Sequence, residues 1–220
     1  MSGLRRHCVL FDLDGTLVDT APDLTGALNR LRAEQDLPPL PDQTLRSMAS
    51  QGAAGLLRVG LGVNSEHPDF ERTRARYLEV YAAHLAERSA LFEGLASLLY
   101  ELRAQGRLWG IVTNKPGWLT RPLLDALGLA SEAACVVSGD CTPTPKPDPA
   151  PVLLACQRAA VLPEQCVLIG DDRRDIEAGR AAKTATIAVG WGYHPHNDPP
   201  TDWGADAYTA STAELRDLLG

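Results

Sequence analysis

The 220-residue sequence predicts a three-layer α/β fold in which a parallel sheet lies between two layers of helices, with a helical domain inserted near the amino end. Three observations support this prediction. Short apolar runs of strand type alternate with longer segments of helical periodicity, as in a doubly wound sheet. The strand candidates are continuously apolar, which is typical of strands covered on both faces. Residues 20 to 89 contain helical segments and no convincing strand.

Five apolar runs are the predicted strands of the sheet. They cover residues 7–11, 108–112, 134–138, 166–169 and 185–189. Between them, apolar residues recur every three or four positions, and this spacing predicts helices over residues 95–102, 119–127 and 152–160. Gly128 is the stop signal of the second of these helices, and Pro149 precedes the third. Strands separated by helices are expected to pair in parallel.

The interval after the first strand contains the predicted insertion. Its helical patterns cover residues 24–33, 42–59 and 70–86. We therefore predict two domains, an α/β core of residues 1–19 and 90–220 and a helical domain of residues 20–89. At the start of the insertion, Asp19 or Thr20 is expected to cap the first helix, with Pro22 in its first turn.

The overall charge and hydropathy pattern indicate the kind of partner. A net charge of -7 disfavours nucleic acid and anionic membrane surfaces, which would repel the protein. No apolar run reaches the roughly 18 residues of a membrane span. Asp12 follows the first basic residues too closely for a signal peptide, and the five cysteines form no CxxC pair. We expect a cytoplasmic monomer or homodimer that acts on a small molecule.

Polar side chains follow three of the predicted strands. They are Asp12 and Asp14 after the first, Thr113 and Asn114 after the second, and Asp171, Asp172 and Asp175 after the fourth. Ligands of open parallel sheets bind at this carboxyl edge. Five carboxylates at one edge would repel one another without a cation, and oxygen ligands favour Mg²⁺. Simpler roles remain open, because Asp172 could be only solvated and Asp175 only a first-turn acid of the next helix.

The lysines indicate a phosphate site. Only three of the 21 basic residues are lysines, so lysine stands where arginine would be usual. Lys146 lies between two prolines, a rigid mounting for a compact charge that could neutralise a phosphoryl oxygen. Lys115 either lines the same pocket or covers the sheet edge, and no role is expected for Lys183. Gly15 allows a sharp turn after Asp14, with backbone amides free to bind phosphate.

Four segments resemble, in order, the motifs of the haloacid dehalogenase superfamily, in its phosphatase branch with a helical cap. They are Asp12-Leu13-Asp14-Gly15-Thr16, Thr113-Asn114, Lys146-Pro147 and Gly170-Asp171-Asp172-Arg173-Arg174-Asp175. The resemblance covers nearly the whole chain and implies a Rossmann-like core. The second aspartate of the first motif favours phosphoryl transfer over carbon–halogen cleavage. Asp172 departs from the usual serine, and Lys183 from a frequent glycine.

The resemblance implies a role for each motif residue. Asp12 would be the nucleophile that forms an aspartyl-phosphate, and Asp14 the acid that protonates the leaving oxygen and then activates water. Thr113, the Asn114 amide and Lys146 would bind the transferring phosphoryl group. Mg²⁺ would be bound by Asp12, the Asp14 carbonyl and Asp171, with Asp175 in support.

The resemblance also implies where the substrate is chosen. Ser50, Gln51 and Gly52, followed by Ala53 and Ala54, resemble the cap loop that contacts substrates, although a simple helix turn is the alternative. Trp118 is either a pocket wall or packing. The motif surroundings are similar to N-acetylmuramic acid 6-phosphate phosphatases and phosphoglycolate phosphatases, which implies a small phosphorylated metabolite as substrate.

Parts of the sequence are also compatible with two other functions and one other site. A sugar phosphomutase of the same fold would need a bisphosphate activator, and a non-catalytic binding module would not need the full set of motif residues. His194-Pro195-His196 could suggest a metal pair, but the proline between the histidines and the polar loop that follows favour a surface segment.

Overall fold

The computed structural model describes residue 4, residues 6–195 and residues 197–220, and within this range the chain forms eight strands. They are β1 (Cys8–Phe11), β2 (Val18–Asp19), β3 (Ala90–Leu91), β4 (Leu108–Val112), β5 (Cys135–Val137), β6 (Cys166–Gly170), β7 (Ala185–Val189) and β8 (Ala207–Thr209). All five predicted strands are present. The three that the sequence did not indicate are β2, β3 and β8, each only two or three residues long.

Nine α-helices occur in the same described part of the chain. They are α1 (Ala21–Ala33), α2 (Asp42–Arg46), α3 (Gly52–Leu61), α4 (Phe70–Ala83), α5 (Leu95–Ala104), α6 (Gly117–Ala126), α7 (Ala150–Arg158), α8 (Arg173–Ala181) and α9 (Thr212–Leu219). None of the described helices is long and apolar enough to cross a membrane.

The main sheet has six parallel strands in the order β5-β4-β1-β6-β7-β8. The chain adds strands on one side of β1 and then crosses to the other side, so the strand order switches next to β1. Phe11 of β1 is in register with Ile111 of β4 and Ile169 of β6. Strand β1 ends at Phe11, and β4 and β6 each end one residue beyond their partner of Phe11. Asp12, Thr113 and Asp171 therefore follow the strand ends at nearly the same level, where ligands of such sheets bind.

Each face of the sheet is covered by helices because alternate strand residues are buried on opposite sides. On one face, strand residues such as Val9 and Phe11 form an apolar cluster with leucines of α5, α6 and α9. On the other face, Cys8 and Leu10 belong to a cluster with apolar residues of α7 and α8. This arrangement confirms the predicted three-layer α/β fold.

Helices α1 to α4 form a separate apolar cluster. The strands β2 and β3 flank this helical segment and pair antiparallel, with Val18 opposite Leu91. Two residues from the sheet part of the chain, Leu119 of α6 and Tyr193 after β7, join the same cluster. The helical segment therefore packs against the carboxyl edge of the sheet.

The structure corrects two predictions about this segment. The helix predicted over residues 42–59 is divided into α2, a 3₁₀ helix (Ala49–Gln51) and α3, and Gly52 has a φ of 59°, in the left-handed region. The predicted side-chain cap of α1 is wrong. Thr20 occupies the cap position, but its hydroxyl donates to Asp14 Oδ1 over 2.6 Å, and Asp19 instead accepts a hydrogen bond from Arg46 over 3.0 Å.

Candidate active site

One cavity of about 320 Å³ lies where the helical segment meets the carboxyl edge of the sheet. The backbone directs the strand ends towards it, because the Asp12 amide donates to the Ile169 carbonyl and the Thr113 amide to the Val137 carbonyl, each over 2.9 Å. All the predicted site residues line this cavity. They are Asp12, Asp14, Thr113, Asn114, Lys146, Asp171 and Asp175 from the sheet part, and Ser50, Gln51 and Gly52 from the helical segment.

Lys146 is the buried centre of the site. Its ammonium group lies 2.7 Å from Asp12 Oδ1 and 2.6 Å from Asp175 Oδ1, and it donates to the Val112 carbonyl over 2.6 Å. Burial disfavours its charged form, but the attraction of the two carboxylates is stronger and raises the pKa of Lys146 above its ordinary value. Lys146 is therefore a fixed positive charge beside Asp12.

Asn114 fixes the loop that carries this lysine. Its side-chain amide donates to the Lys146 carbonyl, and its side-chain oxygen accepts the Lys146 amide, both over 2.9 Å. The family resemblance implied a phosphate contact for the backbone amide of Asn114, and no motif indicated this function of its side chain. The two residues are 32 positions apart, so only the folded chain shows the pair.

Three carboxylates converge beside Lys146. Asp12, Asp171 and Asp175 each offer one oxygen, and these oxygens lie within 4.8 Å of one another. Burial raises the pKa of all three acids, and that of Asp175 reaches about 7 although Lys146 opposes the shift. Buried like charges this close favour a bound cation, and an all-oxygen set matches the ligands that Mg²⁺ prefers. The residues present therefore fit the implied metal.

Asp171 is oriented from two sides. Its Oδ1 accepts the Thr16 hydroxyl over 2.7 Å, and its Oδ2 accepts the Tyr193 amide over 2.8 Å. Gly15 lies against it with a φ of 90°, and a Cβ atom there would be 2.2 Å from Asp171 Oδ2. Only glycine fits this turn, because it tolerates the positive φ and leaves room for the carboxylate.

Asp14 has surroundings that differ from those of Asp12. Its Oδ1 accepts the Thr20 hydroxyl over 2.6 Å and lies 3.0 Å from the Lys115 ammonium, which also donates to the Tyr81 hydroxyl over 2.9 Å. The Asp14 side chain is not part of the three-carboxylate cluster. Asp12 and Asp14 thus have different surroundings within the same cavity. Lys115 also lines this cavity and does not only cover the sheet edge.

Asp172 and Arg174 connect the sheet part to the helical segment. Asp172 caps α8 by accepting the Arg174 amide over 2.9 Å, and its two oxygens each accept the Arg174 guanidinium over 2.8 Å. Although burial opposes the effect, Arg174 lowers the pKa of Asp172. Arg174 Nη2 also donates to the Ser50 carbonyl over 2.7 Å. The interpretation of Asp172 as only solvated is therefore wrong.

Several other residues at or near the cavity lie outside the sequence motifs. Arg74, Tyr77 and Tyr81 of α4 line the cavity, and no motif in the sequence indicates a functional role for any of them. Trp118 is 53% exposed and is not among the lining residues, so it is neither a pocket wall nor core packing. His194 lies near the Gly190 carbonyl, while His196 falls outside the described residues.

Comparisons with known proteins extend over the whole fold. The sequence profile described as haloacid dehalogenase-like hydrolase matches residues 9–189. The chain is 40% identical over 219 residues to an N-acetylmuramic acid 6-phosphate phosphatase of Pseudomonas aeruginosa, covering 100% of this chain and 97% of that protein. It is 39% identical over 212 residues to a phosphoglycolate phosphatase of Xanthomonas campestris pv. campestris, covering 95% and 94%.

A solved structure agrees with these similarities. The crystal structure of a predicted phosphoglycolate phosphatase from Haemophilus somnus 129pt has a TM-score of 0.84 and 26% sequence identity, with 100% of both chains covered. The similarity therefore includes the helical segment as well as the sheet that carries the carboxylates.

Proposed function

This chain belongs to the haloacid dehalogenase-like hydrolases and is a phosphoric monoester hydrolase, and we propose that it acts on a small carboxylate-bearing metabolite through an aspartyl-phosphate on Asp12. The observation that carries this proposal is the contact of Lys146 with Asp12 beside the three-carboxylate cluster. This contact puts a nucleophilic carboxylate next to a fixed positive charge at the sheet edge where ligands bind.

In the first step, an Asp12 oxygen attacks the phosphorus atom, and the bond from phosphorus to the ester oxygen breaks. Lys146, the Thr113 hydroxyl and the Asn114 amide stabilise the negative charge on the transferring phosphoryl oxygens. Asp14 donates its proton to the ester oxygen, which leaves as an alcohol. The Asn114 side chain supports this step indirectly, because it fixes the Lys146 backbone.

In the second step, Asp14 accepts a proton from water, whose oxygen attacks the phosphorus of the aspartyl-phosphate. Inorganic phosphate is released and the Asp12 carboxylate is restored. The contacts of Asp14 with Thr20 and Lys115 orient it for this exchange. One aspartate forms the covalent bond and the other moves the proton, which is consistent with their different surroundings.

We assign the metal site to Asp12, Asp171, Asp175 and the Asp14 carbonyl. When bound there, Mg²⁺ would neutralise charge on the phosphoryl group and on the carboxylates. The close approach of the three buried carboxylates supports this assignment. Thr16 and the Tyr193 amide would keep Asp171 oriented for the ion.

We further propose that residues 20–89 are a cap domain over a core formed by residues 1–19 and 90–220. Ser50, Gln51 and Gly52 of this segment line the same cavity as the carboxylates of the core, so they would contact the substrate beyond its phosphate. The two relatives named above act on phosphoglycolate and N-acetylmuramic acid 6-phosphate, and both compounds carry a carboxylate as well as a phosphate ester. This shared chemistry supports an acidic phosphate ester as the substrate.

Phosphate release with Mg²⁺ tests the proposal on four esters, namely phosphoglycolate, N-acetylmuramic acid 6-phosphate, glucose 6-phosphate and glucose 1-phosphate. We expect kcat/KM for one of the two carboxylate-bearing esters to exceed kcat/KM for the two glucose phosphates by about a hundredfold. The glucose phosphates lack a carboxylate, so a polar group of the site that binds the carboxylate would be left without a partner. Equal rates on all four esters would contradict the substrate class. Interconversion of the glucose phosphates only with a bisphosphate activator would indicate a mutase instead.

A further inference from the structure

Four cationic side chains line the cavity in the described part of the chain, and three of them are paired with carboxylates of the same cavity. Lys146 contacts Asp12 and Asp175, Lys115 contacts Asp14, and Arg174 contacts Asp172, at N···O distances between 2.6 and 3.0 Å. These pairs are buried or partly buried, so their charges are largely compensated within the protein. The fourth cation is Arg74.

Arg74 is held much more loosely. Its guanidinium lies 3.8 Å from Glu71 one helical turn earlier, and the Glu71 side chain is 82% exposed. Such an exposed pair contributes little and is easily exchanged for another partner. Among the lining residues that the structure describes, Arg74 is thus the cation without a carboxylate partner in the cavity. It can bind an anion without breaking a buried ion pair.

The position of Arg74 on α4 indicates which part of a substrate it would reach. Arg74, Tyr77, Leu78 and Tyr81 all line the cavity, and their spacing of three and four residues puts them on one face of the helix. The Tyr81 hydroxyl contacts Lys115, which contacts Asp14, so Tyr81 lies near the reacting end. Arg74 precedes Tyr81 by two helical turns, about 10 Å along the axis.

Between these two levels the wall of the cavity is aromatic. The rings of Tyr77 and Tyr81 are nearly parallel, with centroids 6.5 Å apart. The two rings stack on each other and are almost completely buried, so they form a rigid aromatic lining between the levels of Tyr81 and Arg74. The roughly 10 Å between those levels is far longer than the single methylene of a two-carbon acid and is closer to the width of a sugar ring. The cavity thus has a phosphoryl site at one end, an aromatic wall and, further out, a cation that is only weakly paired.

We propose that Arg74 binds the carboxylate of an anionic sugar phosphate, in which about the width of a hexose ring separates the carboxylate from the phosphate. This inference rests on the proposed phosphatase function and adds the residue that selects the substrate. The planar guanidinium can donate two parallel hydrogen bonds to a carboxylate, which gives direction as well as affinity. Arg74 acts in substrate binding and has no part in the bond-breaking steps.

Two sugar phosphates that differ by one group test this proposal. N-acetylmuramic acid 6-phosphate has a lactyl ether with a carboxylate where N-acetylglucosamine 6-phosphate has a hydroxyl. We expect wild-type kcat/KM to favour the first compound, and Arg74→Gln to reduce this preference by about tenfold or more, mainly through KM. Arg74→Lys should retain part of the preference because it keeps the charge. Arg72→Gln is the matched control on the same helix, since Arg72 is 82% exposed and does not line the cavity, and it should leave the preference unchanged.

The outcomes distinguish this proposal from the function on which it rests. If the wild-type protein hydrolyses both sugar phosphates equally, or if Arg74→Gln keeps the wild-type preference, Arg74 is not the carboxylate site and the phosphatase function stands. If neither compound releases phosphate while phosphoglycolate does, the sugar-ring spacing is wrong. If no ester is hydrolysed, the proposed function itself fails. Thermal unfolding of each variant checks that the half-exposed Arg74 has been replaced without loss of the fold.

Discussion

Replacing Asp12 by asparagine is expected to reduce kcat for phosphate release by at least about a thousandfold, as seen when other enzymes lose a covalent nucleophile. The amide oxygen of asparagine is a far weaker nucleophile than a carboxylate, and the variant cannot form the aspartyl-phosphate. The substitution also removes the negative charge that Lys146 contacts at 2.7 Å. Phosphate release with Mg²⁺, measured at saturating substrate, gives the comparison with the wild-type protein.

Asp172→Asn is a suitable control for this substitution. Asp172 lies at the same cavity, but its carboxylate is paired with Arg174 and caps α8. We expect this variant to lose much less activity than Asp12→Asn, because Asp172 has no chemical step in the mechanism. An Asp12→Asn variant that retained a tenth of wild-type turnover would rule out Asp12 as the nucleophile.

Removal of divalent metal should have an effect of similar size. With excess chelator, we expect hydrolysis to fall by about a thousandfold or more, because several kcal/mol of transition-state charge stabilisation is lost. Added Mg²⁺ should restore the rate. The same ion should raise the Tm, since at a hundred times its Kd a ligand contributes about 2.7 kcal/mol to the stability of the folded state.

The control for metal binding is Asp171→Asn. Asp171 is one of the three clustered carboxylates, and its pKa is raised by burial and by the charges of Asp12 and Asp175. Its replacement should abolish the rise in Tm with Mg²⁺, while the metal-free variant should be at least as stable as the metal-free wild-type protein. Full activity in excess chelator, with a Tm that does not respond to Mg²⁺, would contradict the metal site.

Much of the site could be predicted because it follows from local sequence and sheet topology. Apolar runs identify β1, β4 and β6, and parallel strands end at one edge, so the convergence of Asp12, Thr113 and Asp171 needed no further information. The short strands β2, β3 and β8 could not be predicted, because they lack such an apolar run. Strand β8 has the sequence Ala207-Tyr208-Thr209, which is not a continuous apolar run, whereas β5, also of three residues, is Cys135-Val136-Val137 and was predicted.

The contacts that tune the site could not be predicted, because they join distant parts of the chain. Lys115 is 101 residues from Asp14, and its contact depends on how α4 packs over the sheet edge. Arg174 reaches the Ser50 carbonyl across 124 residues, and nothing local in Asp172 or Arg174 indicates this contact. Arg74 resembles any exposed helical arginine in sequence, and only the cavity distinguishes it from its neighbours.

The central claim is the covalent bond between Asp12 and the phosphoryl group, and a burst experiment on Asp14→Asn tests it most directly. p-Nitrophenyl phosphate has a leaving group that needs no proton, so this variant should complete the first step and stall before water attacks. We expect rapid release of about one nitrophenolate per protein molecule, and the mass of one phosphoryl group on the peptide that contains Asp12. Steady turnover with no burst, and no phosphoryl group on that peptide, would contradict the account.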